Sequence, residues 1–102
     1  MGKYVLAYKG GKMADTPAAQ EAAMQAWGEW FATLGSSVVD GGNPFGASTA
    51  VQSDGSSGKA SAGLTGFSVI QADSLELAAK AAGGCPVLAS GGSVEVYETI
   101  DM

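Results

Sequence analysis

The chain has 102 residues and no histidine, and its only cysteine is Cys85. It therefore lacks the side chain that most often moves protons near neutral pH and that most often ligates metals. One cysteine excludes an internal disulfide, which suits a reducing compartment, and a cytoplasmic chain is expected. The same two shortages argue against a zinc-type site, and no acidic run has EF-hand spacing, so neither metal nor cofactor is expected. Basic residues are also scarce, with five Lys plus Arg against ten Asp plus Glu and a net charge of −5. An acidic surface repels phosphate backbones, which argues against a nucleic-acid partner. No basic run offers a membrane tether, and no apolar run approaches the roughly 20 residues that span a bilayer. The first residues enter a strand-like pattern directly, so no secretory leader is expected.

What remains is the composition of a small globular domain. Apolar residues make up 46% of the chain, near the usual share. The length suits one domain covering residues 1–102. A chain of this size buries only roughly 60–70% of its unfolded surface, and such domains often gain stability by pairing. The 16 glycines cluster in turns and follow no repeat.

Lys3 to Lys9 alternates as a strand, with Tyr4, Leu6 and Tyr8 against Val5 and Ala7. Thr16 and Pro17 mark a helix start, as cap and first helical residue. The helix is expected to run to about Leu34, with Ala23, Met24, Trp27, Trp30, Phe31 and Leu34 in one arc. Gly35 is placed to stop it. Ser37 to Asp40 reads as a short strand, and Gly41-Gly42-Asn43-Pro44 as a turn. Ala47 to Gln52 is expected to return as its hairpin partner. Ser53 to Gly66, mostly Ser, Gly, Ala and Asp, reads as an exposed loop forming a hairpin tip. Gly66 to Gln71 is a further strand. Asp73 with Glu76 suggests a capping box for a second helix, which Gly83-Gly84 closes and Pro86 keeps from continuing. Ser93 to Ile100 is the last strand, with Val94 and Val96 opposed to Glu95, Tyr97 and Thr99.

The order is β-α-β-β-α-β, which predicts an α+β, ferredoxin-like antiparallel sheet with both helices on one face. The other face is expected to carry Tyr or Val from the first strand and Glu95 and Tyr97 from the last. A half-apolar open face invites a second sheet, so a homodimer enclosing an inter-sheet cavity is expected.

Three stretches together resemble the YCII-related family. They are Val39-Asp40-Gly41-Gly42-Asn43-Pro44-Phe45-Gly46, then Leu64 to Ile70 followed by Ala72 to Glu76, and Gly84 to Leu88 followed by Gly91 to Val96. The resemblance spans nearly the whole chain in order. It implies a ferredoxin-like fold and a dimeric α/β barrel. It implies little about chemistry, because the His–Asp pair suspected of activity in some relatives has no counterpart in a chain without histidine. Where relatives often show a His after the Gly-Cys-Pro turn, Val87 stands.

The candidate side chains each carry two readings. Asp40 fits a general base or ligand acceptor in a cleft, and equally an acceptor for turn N–H groups, the simpler account. Asn43 fits a substrate-orienting amide or, more simply, a turn residue before Pro44. Cys85 lacks a neighbouring base and follows a helix C-terminus, so a small buried residue is expected. The aromatic stripe of the first helix, Met24, Trp27, Trp30 and Phe31, fits a pocket wall or, more simply at helical spacing, helix–sheet core, with Trp30, at its edge, the candidate exception to the core. Tyr4, Tyr8 and Tyr97 fit either a ligand cavity on the open face or dimer-interface anchors. Gly10-Gly11, flanked by Lys9 and Lys12, and Gly41-Gly42 match no phosphate-binding fingerprint.

Two functions follow as expectations. One is a homodimeric accessory domain that binds a small organic molecule or provides assembly. The other is a cofactor-independent enzyme of dimeric α/β barrel type acting on a small metabolite, using Asp40, a Tyr hydroxyl or bound water.

Overall fold

A computed structural model describes residues 2–11 and 15–101; Lys12, one of the two lysines beside Gly10-Gly11, lies outside them. Strand β1 (Gly2–Lys9) is followed by α1 (Pro17–Leu34), a 3-10 turn (Gly35–Ser37) and β2 (Val38–Asp40). Next come β3 (Ala50–Val51), β4 (Ser57–Gly58) and β5 (Leu64–Ala72). The chain closes with α2 (Leu75–Ala82), α3 (Pro86–Ala89) and β6 (Ser93–Glu98).

The protein is α+β. Its main sheet has the order β2-β5-β1-β6, and its three pairings, β2 with β5, β5 with β1 and β1 with β6, are all antiparallel. That order is compatible with a ferredoxin-like arrangement. The expected hairpin partner for β2 is displaced: β3, within the expected Ala47–Gln52 span, pairs with β4 in a separate two-stranded ribbon. The strand paired with β2 is instead β5, which begins at Leu64, inside the span read as loop. A Ser- and Gly-rich ribbon has no apolar face to lay on the sheet, so it stands apart. Its tip is the expected exposed turn, with Asp54 Oδ1 accepting from Ser56 N at 2.9 Å and from Ser56 Oγ at 2.7 Å.

The sheet's two faces follow from period-two alternation. Tyr4, Leu6 and Tyr8 of β1 lie with Ser68 and Ile70 of β5 and Val94 and Val96 of β6. This face meets the helices. Leu6, Ile70 and Ser68 are its fully buried side chains, and sealing an aliphatic side chain from water contributes roughly 1.5–3 kcal/mol. Val5 and Val69 lie on the opposite, helix-free face with Tyr97.

Helix α1 begins as the sequence predicts. Thr16 Oγ1 accepts from Ala19 N at 3.1 Å, Pro17 occupies the first turn, and Gly35 ends the helix at φ +56°. Its apolar arc is only half used. Trp27, Phe31 and Leu34 pack on the core, whereas Ala23 is exposed and Met24 is 75% exposed. Trp30, the candidate exception to that core, is instead the buried residue of this helix. Its indole N–H donates to the Ala81 carbonyl at 3.1 Å and so ties α1 to α2.

Helix α2 is capped one residue later than expected: Ser74, and not Asp73, accepts from Leu77 N at 3.1 Å. Pro86 does end that course of the chain, but it also opens α3 as its first-turn residue. Proline suits that position because its missing N–H would have no helical partner there.

Candidate functional site

A cavity lies on the helix side of the sheet. It has a volume of about 380 Å³ and is lined by Tyr8, Trp27, Phe31 and Val87 together with the stretches Gly41–Pro44 and Thr65–Ser68. Its origin is local. Tyr8 stands opposite Gly66 on β5, and the next inward residue of β5 is Ser68. One has no side chain and the other a small one, so this end of the sheet does not fill the space beneath α1. Farther along β5 the inward position is Ile70, and there the core is sealed.

The edge of the cavity is shaped by the turn after β2. Val38 pairs with Ile70 and Asp40 with Val69, with a bulge between them. Pro44 then rejoins opposite Gly66, leaving residues 41–43 against residues 67 and 68. Phe67 N donates to Asn43 O at 3.3 Å and Phe45 N to Thr65 O at 2.9 Å, so the edge stays tied to β5. Extra residues of this kind bend an edge strand. Gly42 takes φ +72°, and a Cβ there would overlap the Phe67 carbonyl oxygen.

A buried hydroxyl relay runs through residues that line the cavity. Tyr8 Oη donates to Ser68 Oγ at 2.7 Å, and Ser68 Oγ donates to Gly41 O at 2.7 Å. Burial pushes the Tyr8 phenol up to about 12, well above its ordinary 10.0. Around it the rings pack edge to face, with Tyr8 and Trp27 centroids 5.1 Å apart at 82° and Trp27 and Trp30 5.7 Å apart at 79°.

The sequence candidates divide. Tyr8 and Asn43 come together at the cavity. Tyr4 and Tyr8 were expected on the open face, but both lie in the helix-covered core, because β1 turns its Tyr4-Leu6-Tyr8 set toward α1 and α2. Tyr97 is on the open face, 53% exposed. Its hydroxyl donates to Glu95 Oε1 at 2.8 Å, and that bond, with the Glu95 charge, raises its pKa. Asp40 does not line the cavity. Its Oδ1 accepts from Gly42 N at 2.8 Å, which is the turn-holding role. Trp30 is committed to the α1–α2 contact.

Cys85 is buried in the core, and burial pushes its thiol up to about 11 from 9.0. That leaves it protonated and unreactive at neutral pH. Among the described residues no group of three His, Cys, Asp or Glu side chains is placed to hold a metal ion, and no helix is long and apolar enough to cross a membrane.

Sequence reading preferred core over pocket wall for Trp27 and Phe31, and missed Gly66 and Ser68 as cavity residues. The available signal was the Gly66-x-Ser68 alternation, two small residues on the inward face of an otherwise apolar strand.

No family model, curated protein or solved structure matches this chain.

Proposed function

We propose that the chain is a YCII-related, ferredoxin-like domain that works as a homodimer and holds a small, uncharged, largely apolar molecule without transforming it. The observation that carries the binding half is the cavity beneath α1, about 380 Å³ in volume and, among the described residues, lined by no Lys, Arg, Asp or Glu. A volume of that order, walled by aromatic rings with a few polar groups, is what small-ligand sites usually present. The pairing half is supported by the helix-free face. Phe45 stacks on Phe67 there at 5.9 Å, beside Val5, Val69 and the exposed ring of Tyr97. Lys9 and Glu95, whose charged ends lie 3.9 Å apart, put both signs on this face. A twofold axis can then set cation against anion across the interface. Pairing through this face leaves the cavity open on the helix side and creates a second space between the sheets.

Native mass spectrometry of freshly purified protein tests both halves. A dimer is expected, with a co-purifying mass or with a cavity that accepts a small aromatic probe. Val69→Lys, on the open face, is expected to give a folded monomer. A wild-type monomer at micromolar concentration would refute the dimer. A cavity that takes no small aromatic probe would refute the ligand site.

A further inference from the structure

We infer that the cavity selects a flat, neutral aromatic molecule that donates a hydrogen bond, of the phenol class, with Tyr8 Oη as the acceptor. The inference rests on the cavity being a ligand site, as proposed above. The polarity follows from where the hydroxyl relay ends. A carbonyl oxygen has no proton to give, so Ser68 commits its only proton to Gly41 O at 2.7 Å. Ser68 Oγ can then only accept from Tyr8 Oη at 2.7 Å, which commits the phenolic proton as well. Tyr8 Oη keeps a lone pair and has no proton to offer. The Thr65 hydroxyl, on the same wall, is committed in the same way, donating to Tyr8 O at 3.3 Å. A ligand that reaches these oxygens therefore has to bring the proton. Asn43 is exposed and Trp27 half-buried, and water competes for the Asn43 amide and the Trp27 indole N–H, which levels their contribution to selection.

Charge and shape follow from the same wall. Among the described residues no lining side chain is charged at neutral pH. An ionised ligand would lose its hydration without gaining a partner. An anion would also approach a chain of net charge −5. The rings of Tyr8, Trp27 and Phe31 offer faces and edges that suit another ring.

The test uses three single-ring probes of nearly equal size on the wild-type protein. Phenol donates a hydrogen bond, pyridine only accepts, and benzene does neither. Affinities are read from NMR shifts of the Trp27 indole N–H and the Gly41, Gly42 and Ser68 amides. Phenol is expected to bind about three- to tenfold tighter than the other two, the worth of one hydrogen bond. In Tyr8→Phe this preference should shrink below about twofold. Equal affinities at these residues, or pyridine ahead of phenol, would overturn the inferred polarity while the ligand site stands. An unchanged preference in a folded Tyr8→Phe would overturn the assignment to Tyr8. No shift with any probe would overturn both the inference and the ligand site. Should Tyr8→Phe fail to fold, the wild-type ranking alone decides.

Discussion

At Gly42 the backbone has φ +72°, and the Phe67 carbonyl fills the place where a Cβ would stand. Two penalties therefore meet in one residue: the left-handed conformation and a steric overlap with backbone that cannot swing aside. Gly42→Ala should cost about 3 kcal/mol or more by urea denaturation. Gly41 has no such constraint, since nothing lies within 4 Å of where its Cβ would stand, and Gly41→Ala should stay within about 0.5 kcal/mol. Equal losses at the two positions would mean that the turn is not held as described. Asp40 offers a second contrast. Its carboxylate accepts from Gly42 N at 2.8 Å, and an asparagine oxygen can accept the same bond. Asp40→Asn should thus leave stability within about 0.5 kcal/mol, while Asp40→Ala should lose about 1 kcal/mol. Probe binding should survive in both variants, and its loss in Asp40→Asn would return the residue to the ligand site. The turn role of Asp40 was legible because an Asp before Gly-Gly has a local job. The fate of Trp30 was not, because its indole N–H finds the Ala81 carbonyl 51 positions away.

Elements with strong local signals stand where the sequence puts them. Thr16-Pro17 opens α1, Gly35 closes it, and β1 and β6 alternate as strands, although which face of β1 meets the helices was not legible. The failures share a cause, which is that pairing is decided across the fold. Ala47 to Gln52 resembles a return strand, but β5 carries the longer apolar run and takes the place beside β2, leaving Ala50–Val51 to pair with Ser57–Gly58. Periodicity likewise marks the whole apolar arc of α1 as core, while the sheet covers only its second half, and Met24 is left exposed. The cavity was the least legible feature, since it arises from what Gly66 and Ser68 fail to fill once α1 lies over them. Because the ribbon of β3 and β4 is bonded mainly within itself, as in Thr49 Oγ1 donating to Gly58 O at 3.0 Å, replacing residues 49–59 by a short Gly-Ser link should barely affect stability. A change below about 1 kcal/mol is expected in urea denaturation. A loss of several kcal/mol would show that the ribbon braces the main sheet.

The described residues form a slab about 43 × 39 × 19 Å, a main sheet with one layer of helices and a separate two-stranded ribbon. So thin a body has few fully buried positions, and three of its core residues, Tyr4, Tyr8 and Cys85, are ionisable. This makes its stability sensitive to alkali. Burial raises the Tyr8 phenol from 10.0 to about 12 and the Cys85 thiol from 9.0 to about 11. In both cases the folded state holds its proton more tightly than the unfolded chain does. The contribution is therefore fully present below the unfolded value and is lost as pH rises, from 9 to 11 for Cys85 and from 10 to 12 for Tyr8. Each group accounts for an upper bound on the order of 2–3 kcal/mol, at roughly 1.4 kcal/mol per pH unit. Tyr4 and Tyr97, whose phenols are also raised, ionise in alkali as well, so the wild-type curve alone does not isolate the effect. Cys85→Ala and Tyr8→Phe do, because each removes one ionisation while keeping most of the packing volume. Urea denaturation at pH 8, 10 and 11 should show a shallower fall for each variant than for wild type. Cys85→Ala should flatten the curve first, from pH 9, and Tyr8→Phe from pH 10. Parallel curves for all three proteins would mean that neither group is shielded from water as the structure places it.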